Sequence, residues 1–399
     1  MALTVVSTYL PIPQDRGDPV RVLMMLRAIA RIREYTLMVV EREDTTTADT
    51  DELRRLLPEV DVRVFPATPY RWNRLGPLGR YPEALVGGLP PWVRTRYSRP
   101  LHDELRDRSG PAVAIGEAAG AYFRDTKLRW HWDKANVLAA STLEDVNEAQ
   151  DDAHRLRARY LAGISMRFEK QALSLCSTVS VTSAEEAERL RHHHGRTADF
   201  TLPSAVALPT GHLRRPENRS LIWLSSFSYR SNSLGLLRFL DEGWARLRQA
   251  GYTLTLVGSG LTGQLRADLE QHEGVRVLGY VEDLRPVLGA ADAAVVPLWS
   301  GAGVKLKTLT LLAHAVPVFS TPVGAEGVPA TAAVRVADTP AALAEAILDT
   351  PPSHLDAMAA EAVRLVHGQF SESRFGEHLV DSLAAHHYLS SGARPYEGP

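Results

Sequence analysis

Two lysines follow a run of small residues in Ser300–Gly301–Ala302–Gly303–Val304–Lys305–Leu306–Lys307. A strand-like run, AAVVPL, precedes this segment, and helical spacing follows from about Val304 to His314. Glycines let a backbone approach a ligand closely, and unpaired N–H groups at a helix start favour an anion. Lysine in that first turn opposes the helix dipole at a cost of about 0.3–1 kcal/mol. A phosphate or diphosphate resting on Lys305 and Lys307 would explain the placement; a solvated helix start is the plainer account. A second small-residue turn, Gly258 to Gly263 in VGSGLTG, spells G-x-G-x-x-G after a strand and before a helix. A dinucleotide site also requires an acid about 20 residues on, at the end of the next strand. That strand ends Leu278–Gly279–Tyr280, with Glu282 and Asp283 beyond it in the loop. A tight turn lining a nucleotide cleft is therefore favoured over a nicotinamide site, and a dinucleotide oxidoreductase stays as the weaker alternative.

Other arrangements point to structure rather than chemistry. Asp49–Thr50–Asp51 has metal-binding residue types but sits at a helix start, where capping explains it. His192, His193 and His194 end a helix beside Gly195, and adjacent side chains diverge too far to share a metal. Ser183 follows a strand without the glycines of a nucleophile elbow. Cys176, the single cysteine, reads as a small buried residue. No metal site is expected. Between 63 and 108, arginines at 63, 71, 74, 80, 94, 96, 99, 106 and 108 mingle with Tyr70, Trp72, Tyr81, Trp92 and Tyr97. A solvated face is the first reading; a surface for an anionic or aromatic acceptor, or a weak membrane patch, is the second.

The chain that must position these residues has 399 of them, enough for two or three domains. Lys and Arg number 45 against 47 Asp and Glu, so nothing points to nucleic acid. One cysteine, no run of about 18 apolar residues and no basic leader suggest a soluble cytoplasmic protein. Strand signals at Leu3–Ser7, Thr36–Val40, Val62–Phe65, PAVAIG, NVLAAS and TVSVTS alternate with helical stretches. After a Pro-rich stretch, 203–219, a second series runs LIWLSSF, a helix Leu234–Gln249, YTLTLVG, VRVLGY, AAVVPL and VPVFST. This alternation predicts α/β architecture with parallel sheets in two halves; one closed barrel is the less favoured arrangement. The final helix, SESRFGEHLVDSLAAHHYL, places Phe375, Leu379, Leu383 and Tyr388 on one stripe that needs a partner surface.

The segment GAGVKLKTLTLLAHAVPVFSTPVGAEG resembles the donor-site segment of nucleotide-sugar glycosyltransferases of family 4, which have the GT-B fold. The likeness extends to PIPQDRGDPVRVLMMLRAIA, VLAASTLE, RFEKQALSLCSTVSVTSAEEAERL, IWLSSFSYRSNSLGLLRFL and YVEDLRPVLGAADAAVVPL, in the family's order. It implies two Rossmann-like doubly wound domains facing across a cleft. Residues 1–205 would bind acceptor and 217–370 the donor, with the helix at 371–389 crossing back to the first domain. It implies donor contacts at Gly17, Arg21, Ser226, Tyr229, Asn232, Gly258, Val281, Gly301, Ala302, Gly303, Val304, Lys307 and Thr310. Catalytic parts would fall to Lys305, Ser141 and Glu117, with Glu144 a second candidate for orienting an acceptor hydroxyl.

The sequence departs from the family's pattern at several of these positions. The family's Glu-x7-Glu pair becomes Ala302 and Thr310, its His-Asn-Val-Glu becomes Ser141 and Thr142, and Asp18 follows Gly17 where relatives often carry a second glycine. One hydroxyl cannot replace a carboxylate accepting from two ribose hydroxyls; each lost charged hydrogen bond is worth about 1.5–3 kcal/mol. The expectation is a bacterial glycosyltransferase that uses a nucleotide-diphosphate sugar, without metal or other cofactor, and retains anomeric configuration. Its acceptor would be a small molecule or glycan, a specialised metabolite such as an antibiotic being attractive. A related domain that binds nucleotide-sugar or phosphosugar without transferring it is the alternative.

Overall fold

The computed structural model describes residues 3–12, 17–41, 45–69, 87–147, 151–209, 216, 219–301 and 303–389. The chain divides into two compact units, Met1–Pro203 with Phe375–Pro399, and Ser204–Arg374. The division falls at the start of the Pro-rich stretch 203–219. Val206 already belongs to the second unit, where its N–H donates to the Phe370 carbonyl at 2.9 Å.

The first unit holds β1 (Leu3–Ser7), β2 (Tyr35–Val40), β3 (Asp61–Phe65), β4 (Pro111–Ile115), β5 (Arg129–Asp133), β6 (Thr178–Val181) and β7 (Phe200–Thr201). They form one sheet in the order β3-β2-β1-β4-β5-β6-β7, all pairs parallel. β1 and β2 are buried along their whole length, as strands covered by helices on both faces must be. Trp130, Trp132, Tyr122 and Phe123 fill the core beside β5.

The second unit holds β8 (Ser220–Leu224), β9 (Thr253–Val257), β10 (Val275–Gly279), β11 (Ala293–Val296), β12 (Val318–Ser320) and β13 (Val334–Val336). Its sheet runs β10-β9-β8-β11-β12-β13, again parallel throughout. This is the doubly wound order, in which strand progression reverses between β8 and β11. Trp223, Phe239, Trp244 and Phe319 pack one face; Leu309, Leu312 and Phe370 pack the other.

The sequence reading is corrected at NVLAAS, which is not a strand. The strand there is Arg129–Asp133, and Leu138–Asn147 is a helix. The Glu186 carboxylate accepts the Val137 N–H, and Glu169 accepts those of Leu138 and Ala139, at 2.6–2.9 Å. Carboxylates bonded to consecutive amides cap a helix and leave no ladder partners for a strand. The expected helix Leu234–Gln249 starts earlier, at Arg230, and widens into a π turn over Leu240–Trp244. Gly243 lies in that turn, where a Cβ would stand 2.7 Å from the Pro340 carbonyl oxygen.

The last helix, Glu372–Ala385, lies mostly within the first unit. The Arg21 guanidinium stacks over its Phe375, 5.3 Å from the ring centre. Thr178 donates to the Tyr388 hydroxyl at 3.1 Å, and Arg129 binds the His386 carbonyl at 2.7 Å. Phe375, Leu379, Leu383 and Tyr388, the stripe read from the sequence, are all buried. Among the described residues, no helix is long and apolar enough to cross a membrane.

Candidate functional site

In a doubly wound sheet, ligands bind at the carboxyl ends of the strands where their order reverses. In the second unit that point lies between β8 and β11, and the loops after β8, β9 and β11 meet there at backbone distance. A Cβ on Gly258 would stand 1.6 Å from the Ser225 carbonyl oxygen, and one on Gly260 2.1 Å from the Ser228 hydroxyl. The Phe227 N–H donates to the Ser259 carbonyl at 2.8 Å. Gly258 and Gly260 of VGSGLTG are thus required by the neighbouring loop, whereas Gly263 has open space around it. Gly235 does the same for β11: its Cβ would meet the Pro297 carbonyl oxygen at 2.1 Å.

The bend after β11 is built from Gly301 and Gly303, both at positive φ (114° and 79°), a region open chiefly to glycine. Val304 packs over Gly327, whose Cβ would stand 2.4 Å from a Val304 methyl. Lys305 takes the N-cap place of the helix Leu306–Ala313. Its ammonium turns back on the bend, donating to the carbonyls of Gly301 (3.0 Å) and Gly303 (2.7 Å), with a Glu326 carboxylate oxygen at 3.6 Å. Only 8% of Lys305 is exposed.

Lys307 faces the loop after β8. Its ammonium donates to the Ser225 hydroxyl at 2.7 Å and to the Asn232 side-chain carbonyl at 2.5 Å. Both acceptors are neutral, and among the described residues no carboxylate pairs with Lys307. The residue is half-buried. Burial around the ammonium, together with the charge of Lys305, pushes its pKa down to about 7. Asn232 is itself oriented by donation from its amide to the Ser226 carbonyl at 2.7 Å. A Cβ on Gly301 would lie 3.9 Å from both the Lys305 ammonium and the Ser231 hydroxyl, so the two loops share one wall.

The remaining expected donor residues fall around or away from this wall. The Ser226 hydroxyl accepts from the Ser228 N–H, and Tyr229, at the helix start, is 61% exposed. Val281 packs against the core beyond β10. Thr310 sits one turn into the helix, and its hydroxyl donates to the Leu306 carbonyl at 2.9 Å. Ala302 lies outside the described residues. Gly17 opens the first helix of the first unit.

Several candidate residues are engaged within the chain. Arg21 is buried, bonded to Asp133 (2.7 Å) and to the Leu202 carbonyl (3.0 Å), so its guanidinium ties the end of β5 to the chain after β7. Ser141 is not at a strand end but inside the helix Leu138–Asn147, donating to the Leu138 carbonyl at 3.2 Å. Glu117 accepts the Asn136 N–H at 2.8 Å. Asp49 and Thr46 form a reciprocal cap at the start of the helix Thr47–Leu56. Ser183 caps the helix Ala184–His194. His194 bonds Glu169 at 2.7 Å. Burial pushes the Cys176 thiol up to about 11.

The described arginines of the 63–108 region divide between internal contacts and solvent, with Arg63, Arg99 and Arg106 exposed. Arg94 is buried and donates to the carbonyls of Thr68 and Pro69, and Arg63 and Arg108 share Glu104. Arg96 lies over Trp92 and Tyr9. Arg71, Arg74, Arg80, Tyr70, Trp72 and Tyr81 fall outside the described residues.

Sequence reasoning missed a buried cluster in the first unit. Lys134, fully buried, lies 2.7 Å from Glu169, which also holds His194. Burial alone would raise the Glu169 carboxyl, but Lys134 and His194 hold it down to about 2. Its signal was the pair of glutamates on helices flanking an apolar run; spacing alone does not show which amides they cap. Glu326 was also missed, hidden in a stretch read for its glycines.

Residues 218–350 match the family described as glycosyl transferases group 1. No curated protein matches the chain in sequence. Among solved structures, the chain is similar to WaaG, a glycosyltransferase involved in lipopolysaccharide biosynthesis. Identity is 17% and the TM-score 0.64, over 98% of this chain and 100% of that one. It is similar also to HepE of Anabaena in complex with UDP, at 14% identity and TM-score 0.62, over 96% of this chain and 100% of that one. A third is the α,α-trehalose 6-phosphate synthase of Burkholderia multivorans, at 11% identity and TM-score 0.60, over 96% of this chain and 98% of that one. The chain therefore has the GT-B fold of two Rossmann-like units, and residues 218–350, within its second unit, are similar to the glycosyl transferases group 1.

Proposed function

We propose that this protein is a family 4 glycosyltransferase that takes a nucleotide-diphosphate sugar in its second unit and passes the sugar to a small-molecule or glycan acceptor. One observation carries the reading: the Lys307 ammonium stands where strand order reverses, held by neutral oxygens only. A cation so placed favours an anion, and a diphosphate brings the charge it lacks. The group 1 domain over the same residues supports the donor class, as does HepE, whose structures include a complex with UDP-glucose.

In the reaction, negative charge grows on the departing diphosphate as the glycosidic bond breaks. Lys307 meets that charge, and the Gly301–Gly303 bend lets phosphate oxygens come close to the backbone. No protein nucleophile is needed if the departing phosphate accepts the acceptor's proton, a route that retains anomeric configuration. Acceptor binding falls to the first unit, and no metal is required because lysine supplies the positive charge. A bacterial cytoplasmic enzyme of specialised-metabolite assembly is the setting we favour.

A thermal-shift screen of nucleoside diphosphates and their sugars identifies the base. Release of nucleoside diphosphate is then followed with candidate acceptors. Stabilisation by no nucleotide would refute the donor assignment. The Thr310 hydroxyl, bonded to its own helix, favours a second reading, a domain that binds donor without transfer. Tight donor binding with no glycoside formed would establish it.

A further inference from the structure

We propose that the two lysines of the bend divide the work: Lys307 is the cation that meets the donor diphosphate, while Lys305, held by Glu326, is a positioning residue that fixes the bend. The inference rests on the donor reading above and assigns parts within it. An ammonium has three N–H donors. Those of Lys305 face three acceptors of the chain itself, the carbonyls of Gly301 and Gly303 and the Glu326 carboxylate. Its backbone is tied to the same turn, the Lys305 N–H pointing to the Glu326 carbonyl at 3.4 Å and its carbonyl accepting from Thr308. Turning Lys305 towards a phosphate would abandon these bonds and release two glycines held at positive φ.

Lys307 has the opposite character. It has two neutral acceptors for three donors, so among the described residues one N–H is left for a ligand. The charged group facing it is Lys305 at the start of its own helix, and Lys305 is in turn paired with Glu326 from the turn after β12. The loop after β8 brings Ser225 and the helix start that follows it brings Asn232, while Arg230 at that start is exposed. The Gly258–Gly260 turn brings no charge. A diphosphate arriving at Lys307 would raise its proton affinity, so binding above neutral pH takes up a proton. Glu326 offsets Lys305, and Lys305 repels the proton on Lys307. The positioning pair therefore also sets the pH at which the ligand-facing amine charges.

Isothermal titration of the full-length protein with UDP, GDP, ADP, the matching nucleosides and pyrophosphate tests this. Two buffers of different ionisation enthalpy at pH 8 count the protons taken up. Lys307→Met is expected to weaken diphosphate binding by about tenfold or more, leave nucleoside binding unchanged and abolish proton uptake. Lys305→Met and Glu326→Gln keep the proton uptake when each is measured above its own midpoint. They move the pH midpoint of diphosphate affinity in opposite directions, up for Lys305→Met and down for Glu326→Gln, shifts that a purely structural role would not produce. If Lys305→Met does not fold, the downward shift in Glu326→Gln carries the test. Proton uptake lost in Lys305→Met but kept in Lys307→Met, or an unmoved midpoint in the folded variants, would overturn the division of labour alone. Failure of every diphosphate to bind the wild-type protein would instead bring down the donor reading itself.

Discussion

Replacing Lys307 by methionine should make the ligand-free fold more stable near neutral pH while removing what its ligand needs. The lysine ammonium has a pKa of about 7 in the folded chain against 10.5 when unfolded. Between those values the unfolded chain binds more protons than the folded one, so stability rises with pH across that window. The slope approaches 1.4 kcal/mol per pH unit, so from pH 7 to pH 9 the gain is about 2.5 kcal/mol. Below pH 7 both states are protonated, the slope vanishes, and the full penalty for holding the cation is present. Methionine keeps the length of the stem, carries no charge and abolishes the dependence. Urea denaturation of both proteins at half-unit steps from pH 6 to pH 9.5 provides the assay, because subtracting the curves cancels every other titrating group. The difference should favour the variant most at pH 6 and shrink steadily above pH 7. A flat difference would show that Lys307 titrates normally, and the argument from an uncompensated cation would fail with it.

Arg21→Met and Asp133→Asn should each destabilise the first unit by about 3–5 kcal/mol, since each removes the opposite charge of a buried ion pair. The double variant should lose clearly less than the sum, and additivity in denaturant titrations would deny the coupling. Gly235→Ala should cost about 1–3 kcal/mol despite alanine's helix preference, because its methyl meets the Pro297 carbonyl. Gly263→Ala, with open space around it, should be neutral or stabilising; equal melting temperatures for the two would refute the close approach. Glu169, held at about 2 against 4.5 unfolded, contributes stability that is present above pH 4.5 and fades as pH falls towards 2. Glu169→Gln should remove that acid dependence and destabilise at pH 7 by about 3–5 kcal/mol, read from denaturation at pH 3 and pH 7.

The elements that could be read from sequence are those with unbroken apolar runs between turn formers, such as β1, β9 and β11. Two short elements, β7 and β13, offer too few residues for any periodicity. β5 escaped because RWHWD alternates charge with tryptophan, yet four of its five residues are buried, the polar ones by hydrogen bonds to β6 and to Arg21. The helices Pro340–Leu348 and Pro352–Leu365 did carry a signal, a proline in the first turn of each. At the site, residue types were legible and directions were not. The spacing of Lys305 and Lys307 places both at a helix start, but only the carbonyls of the bend and the carboxylate of Glu326 decide that one turns inward. For the same reason the acidic Glu117 and the basic Arg21 looked available when each has a neighbour far away in sequence.

The cap at Leu138–Asn147 bears on what the first unit can hold. Two glutamates of the chain already occupy the amides of Val137, Leu138 and Ala139 that an anion would seek there. With both carboxylates buried and Glu169 paired to Lys134, those three amides are spent on the chain itself rather than on a bound anion.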